Sequence, residues 1–203
     1  MRSTSLRRWL RALLCAPVCA VIPTFLAAQT APLARDQQIA GAVTPLPESM
    51  RAGAAVMGYD AAFKLTNIRQ GTNGMICLAD DPRLPPFHPA CYHESLEPFM
   101  SRGRELRASG VKDEQVDTVR FAEVKAGKLK MPTQPASLYQ IFGPPTAFDP
   151  TTGAVTGAQA LFVVYTPFAT EKSTGLSATP RKVGPWLMYP GTPKAHIMIS
   201  EKM

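Results

Sequence analysis

The sequence predicts an α+β domain built on a mainly antiparallel sheet. Short β-prone runs occupy the first and last thirds of the chain beyond residue 45. Between them lies an amphipathic helical stripe followed by a second helical pattern, and nowhere do strands and helices alternate as a parallel sheet requires. The 20 prolines and 14 glycines are spread along the chain, which implies many short elements joined by ordered turns. The strands are numerous enough for the sheet to curl into a partial barrel or a sandwich.

The chain opens with Arg2, Arg7, Arg8 and Arg11, no acidic residue, and an apolar run from Ala12 to Ala28. That is the layout of a secretory signal. The run falls short of the roughly 20 apolar residues of a spanning helix and is interrupted by Pro17 and Pro23, so cleavage near Ala28 or Gln29 is expected, with no membrane span afterwards. Residues 29–45 read as a flexible leader in which 39–43 can dock as an edge strand. Residues 46–203 read as one globular domain.

Removing residues 1–28 takes away four arginines and no acid, so the balance of Lys+Arg over Asp+Glu falls from 22 − 15 = +7 to 18 − 15 = +3. A mildly basic chain without a Lys/Arg stripe lacks the footprint of a nucleic-acid binder. Cys15 and Cys19 leave with the signal, and the remaining pair, Cys77 and Cys91, is expected to form one disulfide in an oxidising compartment.

Residues 54–60, 63–72 and 74–80 predict a three-stranded meander, with Asn73-Gly74 as the type I′ turn between its last two strands. The prolines of 80–94 predict an extended loop, which the disulfide would close. Ser95 is the expected N-cap of a helix running to 109 before Gly110, with Leu96, Phe99, Met100, Gly103 and Leu106 on its apolar stripe. Residues 113–126 have an acidic start and predict a second helix, although 119–124 also alternate like a strand. Residues 137–142, 160–168, 185–189 and 195–200 return to β character, with turns at "DPTTG" and "PGTP".

His88, Cys91 and His93, with Met75, Cys77 or Met100, form a set of soft donors suited to copper. A Cys77–Cys91 disulfide removes both thiolates, and H-x2-C-x-H matches no closed zinc pattern, so His88 and His93 stay weak metal candidates. No G-x-S-x-G or H-E-x-x-H motif is present, and no S-x-x-K with a partner motif. "QGTNG" joins strand to strand, whereas a phosphate loop opens a helix. The dense C-terminal stretch offers His196, Trp186 and Met198, with Asn73 opposite, as a ligand-binding group. The competing expectation is that these residues are core.

"LTNIRQGTNGMICLADDP", "ACYHESLEPFM", "VRFAEVKAGKLKMP", "LFVVYTPFATEKSTGLS" and "PWLMYPGTPKAHIMI" together resemble an uncharacterised family of secreted bacterial proteins. Its layout is G-T-N-G-x-x-C, a second cysteine, a helix and a closing H-x-M-I, here Gly71-Thr72-Asn73-Gly74, Cys77, Cys91 and His196-Ile197-Met198-Ile199. The resemblance implies no activity, cofactor or partner. The expectation is a secreted or periplasmic, disulfide-stapled domain that binds a small molecule or protein without chemistry and without a cofactor. The alternative is an extracytoplasmic enzyme or metal or haem protein using His196 with His88 or His93.

Overall fold

The computed structural model describes residues 31–200, and the expected signal at 1–28 lies outside the described residues. Strands β1 (Ala55–Tyr59), β2 (Leu65–Arg69), β3 (Met75–Leu78), β4 (Ala90–His93), β5 (Ala136–Phe142), β6 (Gln159–Tyr165), β7 (Gly184–Met188) and β8 (His196–Ser200) form one sheet in the order β2-β1-β3-β4-β5-β6-β8-β7. Every neighbouring pair is antiparallel except β1–β3. The edge strands β2 and β7 do not meet, so the sheet is open and forms neither a barrel nor a sandwich. The helices are α1 (Arg35–Ala42), the single turn α2 (Glu48–Arg51), α3 (Glu97–Ala108), α4 (Asp113–Lys125) and the single turn α5 (Glu171–Thr174).

The expected meander is corrected at its last step. β3 pairs with β1, not β2, so the chain leaving β2 crosses the start of β1 before β3 begins. Asn73-Gly74 is the end of that crossing and not a hairpin turn. Gly74 has φ +74°, while Asn73 is absent from the residues with positive φ, which excludes type I′. The crossing is tied down at several points. Thr72 and Asn73 donate their N–H groups to the Gly53 carbonyl at 2.7 and 3.2 Å. Asn73 Nδ2 donates to the Met50 carbonyl at 2.8 Å, and Asn73 Oδ1 accepts from Met75 N–H at 3.1 Å. A Cβ on Gly71 would stand 2.4 Å from Ala55 N, so only glycine lets the crossing lie this close to β1.

The second correction concerns residues 90–93, expected in a loop. They form β4, which joins β3 on one side and β5 on the other. Cys77 and Cys91 sit directly opposite one another in the β3–β4 ladder and are disulfide-bonded, with an S–S distance of 2.06 Å. The prolines stay outside the ladder except for Pro89 at its mouth.

The third correction is α1, formed within the expected leader. Two glycines admit it: a Cβ on Gly58 would meet Ile68 Cδ1 at 2.5 Å and Gln38 Oε1 at 2.6 Å, and Gly41 lies against the Phe148 ring. The buried Gln38 amide accepts from Tyr59 N–H at 2.7 Å and donates to the Tyr59 carbonyl at 2.9 Å, which hydrogen-bonds the helix to β1. Ala42, Val43 and Leu46 then pack with Ala54, Val56, Met75, Ala79 and the cystine.

The opposite face carries a cross-sheet row of Ile76, Tyr92, Leu138, Val163, Met198 and Trp186. Its middle members pack with Leu96 and Met100. The predicted helices are α3 and α4, with α3 preceded by a 3-10 turn, Glu94–Leu96, that the His93 side chain caps in place of Ser95. The α3–α4 contact is built around Arg120, which is 5% exposed. Its guanidinium lies 3.8 Å from the Phe99 ring centroid, donates to the Phe99 carbonyl at 3.0 Å and pairs with Asp117. Asp117 also holds Lys194 at 2.7 Å, linking α4 to the start of β8. Burial works to raise the Asp117 carboxyl, but the hydrogen bonds from Lys194 and Arg120 outweigh it and hold the carboxyl below its ordinary range.

Two outcomes follow from these contacts. Replacing both Cys77 and Cys91 with alanine removes the cross-link and is expected to lower unfolding free energy by about 3 kcal/mol, read by urea denaturation. Gly103→Val puts carbon where Arg120 Nη1 lies, since a Cβ alone would be 2.9 Å from it. The expected loss is about 2 kcal/mol, whereas a neutral effect would show that Arg120 can move freely.

Candidate functional site

A cavity of about 440 Å³ lies between α1 and the loop 145–150. One wall is helical, from Gln37, Gln38, Gly41 and Ala42; the facing wall is Pro145, Thr146, Phe148, Asp149 and Pro150. Ala79, Asp80, Pro82 and Phe87 close it along the line leaving β3. Backbone pairing sets these walls in place. Phe87 and Gly143 exchange N–H···O bonds of 3.0 Å, and Phe148 bridges to Val155. The rings of Phe87 and Phe148 stack with centroids 5.4 Å apart and planes 5° from parallel. Prolines in "LPPFHP" and "PPTAFDP" fix both loops without drawing on backbone donors.

Asp80 is a half-buried polar group of this wall whose bonding is incomplete. Its Oδ1 accepts from His88 N–H at 2.8 Å, and its other oxygen has no partner among the described residues. Burial pushes its carboxyl pKa up, and the His88 N–H offsets only part of that. Its neighbour Asp81 is spoken for, gripped by Arg83 through two hydrogen bonds of 2.8 and 2.7 Å. Burial, followed by the Asp81 charge, pushes the nearby Tyr59 phenol up to about 12.

The residues singled out from sequence do not converge on one place. Asn73 lies at the crossing over β1, and four strands, β3 to β6, separate β1 from β8 and His196. Met198 is packed against the core beneath α3, and Trp186 lies opposite it on the edge strand β7. His196 is 5% exposed and tilted against the Tyr165 and Tyr189 rings. Its Nδ1–H donates to the Lys194 carbonyl at 2.7 Å, leaving Nε2 as the lone-pair nitrogen.

His88 Nε2–H donates to Gln140 at 2.8 Å and its ring stacks on Phe142, while His93 Nδ1 accepts from Ser95 N–H. His88 precedes β4 and His93 is its last residue, about 16 Å apart along extended chain. Among the described residues no three of His, Cys, Asp and Glu gather as a metal site. No helix among them is long and apolar enough to cross a membrane.

Burial lowers the His196 pKa from 6.5, and the hydrogen bond to Lys194 restores only part of it. The unfolded chain therefore takes up its proton first as pH falls. His196 supports the fold fully above 6.5, and that contribution drains away as pH drops toward the depressed folded value. In urea denaturation at pH 8, 6.5 and 5, the stability difference between wild type and His196→Gln is expected to shrink with falling pH. A flat difference would show that His196 keeps its ordinary titration in the fold.

Neither a protein-family model, nor a curated protein, nor a solved structure matches this chain.

Proposed function

We propose that the protein is an extracytoplasmic binding domain that takes a small ligand with a largely apolar body into the cavity between α1 and the loop 145–150. The observation that carries this is the cavity itself. At about 440 Å³ it has the size of a small-molecule site and is walled by aromatic rings, prolines and alanines with few polar groups. The placement outside the cytoplasm rests on the arginine-led apolar segment at 1–28 and on the disulfide. The same segments support membership of the secreted family that the G-T-N-G-x-x-C and H-x-M-I motifs resemble.

The test is a titration of 2-phenylethanol followed by amide chemical shifts. Binding in the millimolar range is expected, with the largest shifts at Gly41, Ala79, Phe87 and Phe148. Thr146→Trp fills the cavity from its exposed lip and is expected to abolish those shifts while leaving the melting temperature unchanged. Shifts that persist unaltered in Thr146→Trp would place the ligand elsewhere.

A further inference from the structure

We infer that the ligand of this cavity is an organic cation, an amine or quaternary ammonium on an apolar body, with Asp80 as its counter-ion; the inference rests on the cavity being a binding site. Asp80 and Asp149 are the ionisable residues of the lining, and no lysine or arginine lines it. That is the reverse of the chain's overall positive balance.

The nearby cations are committed elsewhere. Arg83 is held by Asp81 and lies over the Tyr59 and Phe63 rings at 5.6 and 5.3 Å. Arg35 donates to the Ile68 carbonyl at 2.6 Å. The His88 imidazole is turned to Gln140 and Phe142.

Apart from the exposed Thr146 hydroxyl, the other polar side chains of the wall are satisfied by the protein. Gln37 binds Ala34 N–H and the Pro150 carbonyl, and Gln38 binds Tyr59 and the Leu33 carbonyl. Asp149 accepts from Thr151 N–H and the Thr152 hydroxyl. What remains among the half-buried groups is one Asp80 carboxylate oxygen without a partner among the described residues, in a cavity also lined by Phe87 and Phe148. A cation entering there gains a charge-assisted hydrogen bond from the first and the negative ring faces from the second. A neutral ligand gains neither, and an anion meets Asp80 with like charge.

The experiment compares 2-phenylethylamine with 2-phenylethanol, near-isosteres differing in charge, by the same chemical-shift titration on the wild-type chain and on Asp80→Asn. The asparagine keeps an oxygen for His88 N–H, so the loop retains its anchor. The amine is expected to bind wild type about tenfold tighter than the alcohol, and Asp80→Asn is expected to bring the two within about twofold. Equal binding of amine and alcohol to wild type would overturn the cationic ligand while leaving the cavity as a binding site. An amine preference undiminished in a folded Asp80→Asn would overturn the role of Asp80. Failure of both compounds to shift the cavity residues would overturn the binding site and this inference together. The wild-type ratio alone decides the charge question should the variant not fold.

Discussion

The pairing of β3 with β4 is the joint on which the sheet depends. On one side stand β2, β1 and β3, formed by residues 55–78; on the other stand β5, β6, β8 and β7, all beyond residue 135. Each strand of the joint is four residues long, so its ladder supplies few hydrogen bonds. The Cys77–Cys91 bond crosses it at mid-length, where neither sulfur-bearing residue has exposed surface. Covalent closure removes the loop entropy that so short a ladder must otherwise offset. Around this joint each face acquires its cover, α1 over the cystine and α3 over Tyr92.

The two faces are stabilised by different physics. Beneath α1 the residues are small, and contact depends on missing side chains: Gly58, Gly41 and Ala42 let a helix with little apolar character approach closely enough for Gln38 to bond β1. Beneath α3 the residues are large, and the second helix is held by a buried guanidinium that spans Phe99, Asp117 and, through Asp117, Lys194. Removing one partner from such a network leaves a buried charge without compensation, which costs more than the pair contributes when intact. The cavity lies on the small-residue side, between α1 and the loop 145–150.

Much of the fold was legible because it was local. The stripe Leu96, Phe99, Gly103 and Leu106 fixes α3, and the β-branched and aromatic runs fix β5, β6 and β8. What failed was partnership. Asn73-Gly74 marks a turn, but a dipeptide carries no information about which strand β3 will join, and the answer lay in Gly53 and Ala55 twenty residues earlier. Residues 90–93 are too few and too close to prolines to signal a strand before β3 and β5 supply its neighbours. α1 was hidden because a helix docked through glycine and alanine lacks the apolar stripe by which helices are read. The candidate site was missed for a similar reason. Cys, His and Trp draw the eye as reactive types, whereas Asp80 owes its character to burial and to an unfilled oxygen, and neither is written in its neighbours. The readable trace was the pair of aromatic residues set among prolines, Phe87 and Phe148.

That α1 covers the cystine has a kinetic consequence. Thiol–disulfide exchange needs a thiolate to reach a sulfur. Here Cys91 Sγ lies 3.2 Å from the Ala42 carbonyl, at the end of α1. The rate at which a reductant breaks the bond is then governed by how often α1 lifts away, a local opening that need not unfold the sheet. Gln37, Gln38, Gly41 and Ala42 belong both to that lid and to the cavity wall. Whatever occupies the cavity and grips α1 therefore also slows the loss of the cross-link, so occupancy of the cavity and the lifetime of the covalent joint are coupled through a single helix.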